Sequence, residues 1–79
     1  MTITINDREI KLKYSFRSLM VYENITNKSF EPKSISDIIY FFYSVAFTSA
    51  KGDALDFEKF IDWLDENPSA ITEFNVWLT

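Results

Sequence analysis

Cysteine is absent from this chain, so its fold has to be held by side-chain packing without disulfide bonds or thiolate metal sites. The requirement is strict, because a chain of 79 residues buries only about 60% of the surface that its unfolded form exposes. The composition includes fourteen aromatic residues, namely eight Phe, four Tyr and two Trp. We therefore predict a single domain over residues 1–79, and the aromatic excess indicates a module that binds other protein surfaces.

Alternation of apolar and polar residues predicts two N-terminal strands, over residues 2–5 and residues 8–14. Asn6 and Asp7 lie between them and tolerate positive φ, which suits the tight turn of a β-hairpin. Helical periodicity dominates after this point. The predicted fold class is α+β, mainly α, with a β-hairpin over residues 1–14 followed by about four short helices over residues 15–79.

The first helix is predicted over residues 16–26, with Ser15 as its N-cap and Asn27 as a left-handed stop after its last turn. Pro32 reinforces the break after this helix. Helical spacing predicts a core-facing side that is made of Phe16, Leu19, Tyr22 and Thr26, with Met20 and Ile25 flanking it.

The second helix is predicted over residues 35–50, beginning after Ser34 or Ser36 and ending at Gly52. Its predicted core stripe is Ile35, Ile38, Ile39, Phe42, Val45 and Ala46. A second apolar stripe is Tyr40, Tyr43 and Phe47, which leaves a narrow polar strip of Asp37, Ser44 and Thr48. A helix that is apolar nearly all round is either buried at the centre of a domain or exposed as a docking surface, and both interpretations stay open.

A third helix is predicted after Asp56 as N-cap, with an apolar face on one side and acidic residues on the other. Asn67 and Pro68 are predicted to end it and to begin a fourth helix that reaches the last residues. Trp77 lies beside the apolar face of this fourth helix. Together with Tyr40, Tyr43 and Phe47, Trp77 is a candidate partner-binding residue.

The charges are unevenly distributed along the chain. Residues 1–33 carry six basic and four acidic side chains, whereas residues 34–79 carry two basic and eight acidic ones. The acidic half argues against nucleic-acid binding, which needs clustered Lys and Arg. The segregation is compatible with a solvated acidic face or with head-to-tail assembly into a homo-oligomer.

No catalytic or cofactor-binding constellation stands out in the sequence. Histidine, the commonest general base and metal ligand, is absent. Asp62, Asp65 and Glu66 are the nearest approach to a carboxylate pair, but they belong to the polar side of an amphipathic helix. We therefore predict a protein that is not an enzyme and that has no metal or cofactor. The N-terminal residues do not resemble a signal peptide, and no apolar run is long enough to span a membrane, so we expect a cytoplasmic protein.

Two segments resemble the tail assembly chaperones of long-tailed phages and prophages. Residues 16–30 read FRSLMVYENITNKSF. This is similar to the family's first helix and its following turn, where an aromatic and hydrophobic pattern ends in Tyr-Glu and then in Thr-Gly-Lys-Ser-Phe. Asn27 stands where the family has glycine. Residues 57–68, FEKFIDWLDENP, resemble the acidic later helix of the same group.

The resemblance implies a non-enzymatic protein that binds the tape measure protein, the tail tube protein or both while a phage tail is assembled in the bacterial host cell. It supplies no fixed site residues. An alternative is a small acidic regulatory or inhibitor protein that acts by binding another protein. A third possibility is a minor structural subunit of an assembled particle.

Overall fold

The structure is a computed structural model that describes residues 1–31, 33–50 and 55–79. Its elements are two strands and four helices, in the order β1 (Thr2–Ile5), β2 (Arg8–Lys11), α1 (Phe16–Thr26), α2 (Ile35–Ser49), α3 (Phe57–Glu66) and α4 (Ser69–Leu78). The predicted fold class, a β-hairpin followed by four helices, is confirmed. The predicted roles of Pro32 and Gly52 as helix breakers fall outside the described residues.

The β-hairpin has the tight turn that the sequence predicts. Asn6 and Asp7 have φ values of 53° and 63°, so both residues are in the left-handed region. A two-residue type I′ hairpin turn requires positive φ at both of its central residues. Pairing is antiparallel, with Ile3 opposite Ile10. The second strand is shorter than predicted and ends at Lys11 rather than at residue 14.

The early end of β2 reflects a change of hydrogen-bond partner along the backbone. The backbone N–H of Leu12 still donates to the Met1 carbonyl at 2.8 Å, but the N–H of Lys13 donates to Ser49 Oγ at 2.9 Å. The chain therefore leaves its partner strand at this point and is attached to the end of α2.

Helix α1 begins and ends as predicted. Ser15 and Ser18 form a reciprocal capping box in which each side chain accepts a hydrogen bond from the other residue's backbone N–H. At the other end Asn27 is left-handed, with φ 59° and ψ 33°, and its N–H donates to the Glu23 carbonyl at 2.7 Å.

Helix α2 is the central element of the fold. Ser34 is its N-cap, and its hydroxyl accepts a hydrogen bond from the N–H of Asp37. Eight of the fifteen residues of α2 are buried, which agrees with the central interpretation of this helix. The buried residues are Asp37, Ile38, Phe41, Phe42, Tyr43, Ser44, Val45 and Ala46.

Two predictions about which residues of α2 face the core and which face solvent were wrong. Ile35, predicted in the core, lies in the first turn and is exposed, whereas Phe41 is fully buried and contacts the rings of Tyr22 and Phe30. The polar strip does not face solvent, because Asp37 and Ser44 are buried. Since α1 packs extensively on α2, even a polar side of α2 is covered.

Helices α3 and α4 are joined at Asn67 and Pro68. Asp56 occupies the N-cap position of α3 with extended backbone, but its side chain makes no capping hydrogen bond. The Asn67 side chain donates to the Trp63 carbonyl at 2.9 Å, so it completes the end of α3 instead of capping α4. Helix α4 accordingly begins at Ser69, one residue after Pro68.

The core is one cluster of apolar side chains from the hairpin and all of the helices. Aromatic rings connect its parts. Phe42 of α2 stacks on Phe74 of α4 with centroids 4.3 Å apart and meets Phe60 of α3 edge-on at 5.1 Å. Each such pair stabilises the fold by about 0.5–1.5 kcal/mol beyond the area it buries. None of the helices in the described part of the chain has the length and apolar character that crossing a bilayer requires.

Candidate functional site

The most exposed apolar side chains of α1 form what we call the α1 outer stripe, which consists of Phe16 and Met20. Phe16 is 84% exposed and Met20 is 64% exposed. Their spacing of four residues places them one above the other on the same side of the helix. A solvent-facing pair of large apolar side chains contributes little to the core, so it is a candidate surface for a protein partner.

The sequence placed Phe16 on the core side of α1, and this was wrong. Tyr22 and Ser18 are fully buried and set the direction in which α1 faces the core. At about 100° per residue, Phe16 lies roughly 120° around the helix from Tyr22. The small Ser18 side chain, held by the capping box, takes the inward position in the first turns.

Of the four predicted partner-binding residues, Tyr43 belongs to the core. It is only 8% exposed, and its hydroxyl donates to the carbonyl of Leu55 at 2.5 Å. Burial raises the pKa of the Tyr43 phenol, and the nearby charge of Asp56 adds to the effect. The Tyr43 side chain therefore stabilises the packing of the core and is not accessible to a partner protein.

Tyr40 and Phe47 lie on either side of Tyr43 at the surface. The Tyr40 ring is partly buried and stacks on Phe57 of α3 at 5.4 Å. The Phe47 ring is 39% exposed and contacts the Tyr43 ring at 5.8 Å. The three predicted stripe residues therefore share one row with Phe57, but Phe47 alone among them is exposed.

Trp77 is partly buried near the end of α4. Its ring lies 5.8 Å from that of Phe74, whose side chain is in the core. Neighbouring Val76 is 72% exposed. Helix α4 thus turns its most accessible apolar side chain to solvent at Val76 and not at Trp77.

A shallow depression of about 460 Å³ separates the C-terminal turn of α1 from the first turns of α2. Ile25 and Tyr40 provide its apolar parts, and Lys28 and Asp37 provide its charged parts. Ile25 is exposed. The depression is open to solvent and mixed in character, so it suits the edge of a protein contact better than an enclosed small-molecule site.

Comparison with protein-family models, curated proteins and solved structures yields no match to this chain. Its candidate site therefore has to be interpreted from its own residues.

The turn after α1, which carries most of the family resemblance, is built around Asp37. Lys28 Nζ lies 2.7 Å from Asp37 Oδ1, and the backbone N–H of Lys33 donates to Asp37 Oδ2 at 3.1 Å. Thr26 donates its hydroxyl to the Tyr22 carbonyl at 2.8 Å. The Lys28 contact fastens the turn after α1 to the start of α2, whereas the other two contacts are local to the start of α2 and to α1. We refer to Lys28 and Asp37 as the turn ion pair.

Phe30 completes this turn by packing its ring into the core. It stacks on Phe41 at 4.2 Å and meets the Tyr22 ring edge-on at 5.1 Å. The segment from Thr26 to Phe30 thus has a structural explanation at four of its five positions, with Asn27 supplying the left-handed backbone.

The ion pair alters the acid–base properties of both partners. The hydrogen bond from Lys28, followed by that from the Lys33 backbone, holds the pKa of Asp37 below its ordinary value of 3.8. The same hydrogen bond raises the pKa of Lys28 above 10.5. The Asp37 carboxylate is therefore charged and engaged at neutral pH, which suits a structural role better than proton transfer.

Among the residues that the structure describes, no group of three or more acidic side chains is arranged to hold a metal ion. Asp62, Asp65 and Glu66 are exposed on α3, as the sequence predicts. The features that stand out are therefore surfaces: the α1 outer stripe, exposed Phe47 and the acidic side of α3.

Proposed function

We propose that this chain is a non-enzymatic chaperone of phage or prophage tail assembly, which binds the tape measure protein, the tail tube protein or both. It would act in the cytoplasm of the bacterial host cell. The single observation that carries the protein-binding part is the α1 outer stripe, since Phe16 and Met20 are exposed and belong to a well-capped helix. The choice of client rests on the sequence resemblance.

The geometry of the stripe supports binding to an amphipathic helical client. Phe and Met side chains one turn apart offer an apolar ridge of the kind that packs against the apolar face of another helix. Burying one such side chain contributes about 1.5–3 kcal/mol. Association also costs translational and rotational freedom, so the pair would be the centre of a larger contact that is made during assembly and later released. Met is also adaptable in shape, which helps a chaperone bind a long client at several places.

The turn ion pair supports the proposal indirectly. The Lys28–Asp37 ion pair joins the turn after α1 to the first turns of α2, so it helps to hold α1 against α2. A rigid α1 presents the outer stripe with little loss of conformational entropy on binding.

The acidic side of α3 favours the alternative of a small regulatory or inhibitor protein. Glu58, Asp62, Asp65 and Glu66 are all exposed on this helix. An inhibitor of this kind would bind a basic target through α3, and its binding would not depend on Phe16 or Met20.

Co-expression tests the chaperone proposal. The tape measure protein of the same phage or prophage is expressed with wild-type chain, with no chain and with a Phe16→Ser, Met20→Ser double variant. We expect the wild-type chain to increase the soluble fraction of the tape measure protein severalfold, and the double variant to lose most of that increase. Both changes are at exposed positions, so each should alter the free energy of unfolding by only about 0.5 kcal/mol.

Val76→Ser is the matched control, because it also replaces an exposed apolar side chain, on α4 instead of α1. It should retain the wild-type effect. A tape measure protein that is equally insoluble with and without wild-type chain would overturn the chaperone proposal. An effect of wild-type chain that the double variant retains in full would overturn the role of the α1 outer stripe.

A further inference from the structure

A cleft of about 740 Å³ runs along β2 and is bounded by the start of α1 and the end of α2. Residues 8–13 form its strand side, and every one of them lines it. Ser15 and Arg17 line it at the start of α1, and residues 48–50 line it at the end of α2. We call this region the β2 cleft.

The backbone of β2 has one edge that is not used by the hairpin. The backbone N–H of Leu12 donates to the Met1 carbonyl, so Leu12 belongs to a hydrogen-bonded pair of the hairpin. Such pairs alternate with non-hydrogen-bonded ones, so Glu9 and Lys11 direct their N–H and C=O groups away from β1. Beyond the hairpin, no backbone–backbone hydrogen bond between described residues involves either of them, so this edge can accept another strand.

The end of α2 lies beside the unused edge of β2. The N–H of Lys13, next in the same alternation, donates to Ser49 Oγ at 2.9 Å, so this edge and the end of α2 line the same cleft. Thr48, Ser49 and Ala50 are small, and they leave space for a second backbone beside β2. At about 3.4 Å per residue, the chain from Glu9 to Lys13 spans about 14 Å, which is the length of a strand of about five residues.

The charge in the β2 cleft is mainly positive. Lys11, Lys13 and Arg17 are exposed, and the ion pairs found between described side chains involve other lysines. Arg8 also lines the cleft, and its guanidinium donates to a backbone carbonyl at the end of α2. Glu9 is the one acidic residue among the described residues of the lining. The cleft therefore carries a local positive charge on a chain whose net charge is −4.

We propose that the β2 cleft binds an extended acidic segment of a different protein, which adds to β2 as a third, antiparallel strand. The antiparallel direction is the one that the hairpin already uses, and it is the more stable of the two per residue. Cross-strand pairing places one acidic side chain of the added strand opposite Lys11 and a second, two residues away, near Lys13. Lysines at a strand edge disfavour strands without a compensating charge, so the same two lysines make the site selective.

Three other occupants fit the β2 cleft less well. The phosphate groups of a nucleic acid accept hydrogen bonds but donate none, so they would leave the outward carbonyls of Glu9 and Lys11 without partners. An acidic helix has already paired its own backbone groups and cannot bond to a strand edge. The strands of a second copy contain a single acidic residue, Glu9, so they cannot match both lysines.

The test measures binding of the labelled peptide Thr-Glu-Val-Glu-Val-Thr-Thr to the purified full chain by fluorescence anisotropy. Its two Glu residues match the two lysines, and its Thr at the next alternate position avoids a like-charge pair with Glu9. We expect a dissociation constant in the micromolar range. A peptide with Lys in place of both Glu residues should bind about a hundredfold more weakly, because it brings like charges together.

N-methylated peptides separate strand addition from the attraction of charges alone. In the proposed register the peptide residue opposite Lys11 turns its N–H and C=O groups to β2, as does the other Glu of the peptide. Methylation of both Glu nitrogens should therefore weaken binding about tenfold or more. Methylation of both Val nitrogens is the matched control, since these point away from β2, and it should leave the affinity within about twofold.

Two measurements on the chain locate the contact. Lys11→Glu with Lys13→Glu should weaken binding of the acidic peptide about tenfold or more, whereas Lys33→Glu with Lys59→Glu should bind like wild type. The second pair changes the net charge equally at exposed positions outside the β2 cleft. In the wild-type complex, hydrogen exchange of the Glu9 and Lys11 amides, followed by NMR, should slow about tenfold or more.

Four results would overturn the proposal. The first is a wild-type chain that does not bind the acidic peptide at several hundred micromolar. The second is equal affinity for the two N-methylated peptides, and the third is equal affinity of an acidic oligodeoxynucleotide, either of which would reduce the cleft to a charged patch. The fourth is protection of the Glu9 and Lys11 amides by self-association alone, which would assign the edge to a second copy. None of these results bears on the proposed chaperone function, because Phe16 and Met20 do not line the β2 cleft.

Discussion

Tyr43 and Phe47 are separated by one helical turn in α2, yet their environments differ. Tyr43 is packed between the rings of Phe57 and Phe60 and donates a hydrogen bond to Leu55. Phe47 contacts Tyr43 from outside and remains exposed on its other side. At the scale of the residue, therefore, Tyr43 holds α3 against α2, while Phe47 is free to contact a partner.

This difference predicts unequal effects of substitution. Tyr43→Ser should lower the free energy of unfolding by about 3 kcal/mol, because it leaves a cavity in the core and removes a buried hydrogen bond. Phe47→Ser should lower it by about 1 kcal/mol or less. Urea unfolding followed by circular dichroism measures both values.

The conservative variant Tyr43→Phe separates the effect of the cavity from the effect of the lost hydrogen bond. It retains the ring and loses only the hydroxyl, so it should be destabilised by about 1 kcal/mol. Equal losses for Tyr43→Ser and Phe47→Ser would contradict the assignment of Tyr43 to the core.

At the scale of the element, α1 and α2 act as one antiparallel pair. The turn ion pair connects the end of α1 with the start of α2, and the hydrogen bond from Lys13 to Ser49 connects the start of α1 with the end of α2. Tyr22 and Phe41 fill the space between the helices. The orientation of the α1 outer stripe therefore depends on contacts at both ends of the pair.

The turn ion pair predicts a pH-dependent contribution to stability. Asp37 has a lowered pKa in the folded state, so its contribution is present above its ordinary value of 3.8 and is lost as the pH falls through the lowered pKa. Lys28 has a raised pKa, so its contribution is present below 10.5 and is lost as the pH rises through the raised pKa. Asp37→Asn should therefore be less stable than wild type at pH 7, with the difference shrinking as the pH falls below 3.8 and through the lowered pKa of Asp37.

Glu31→Gln provides the control for this measurement, because Glu31 pairs with Lys33 where both side chains are exposed. Surface pairs of this kind contribute little, so its stability should follow that of wild type at every pH. A difference between Asp37→Asn and wild type that does not shrink at any pH below 3.8 at which the protein stays folded would contradict the role of the charged carboxylate.

Local signals in the sequence were sufficient to predict where strands and helices begin and end, but not which of their residues face the core. Asn6 and Asp7, the Ser15 cap and the Asn27 stop act within a few residues, and each was predicted correctly. The burial of Asp37 depends on how α1 packs against α2, which the local pattern of α2 does not determine.

The sequence of α1 does contain a signal for the exposure of Phe16. Phe16 and Met20 form their own pair at a spacing of four residues, displaced around α1 from Leu19 and Tyr22. On α1 one apolar direction packs and the other is exposed, whereas on α2 both apolar stripes are largely buried. Of the four predicted partner-binding residues, Phe47 is exposed, Tyr40 and Trp77 are partly buried, and Tyr43 is in the core.

At the scale of the whole molecule, whose extents are 32 × 27 × 22 Å, the exposed apolar and acidic side chains lie on different helices. The α1 outer stripe is apolar, whereas the exposed residues Glu58, Asp62, Asp65 and Glu66 make one side of α3 acidic. Substitutions in the α1 outer stripe therefore test the client-binding surface without changing the charge of α3.

The most direct test of the central claim is the affinity of the purified chain for a labelled amphipathic helical segment of the tape measure protein, measured by fluorescence anisotropy. Loss of two buried apolar side chains at about 1.5–3 kcal/mol each predicts that Phe16→Ser with Met20→Ser weakens binding at least a hundredfold, while Val76→Ser binds like wild type. Equal affinities for the wild type and the double variant would contradict the claim that α1 is the client-binding surface.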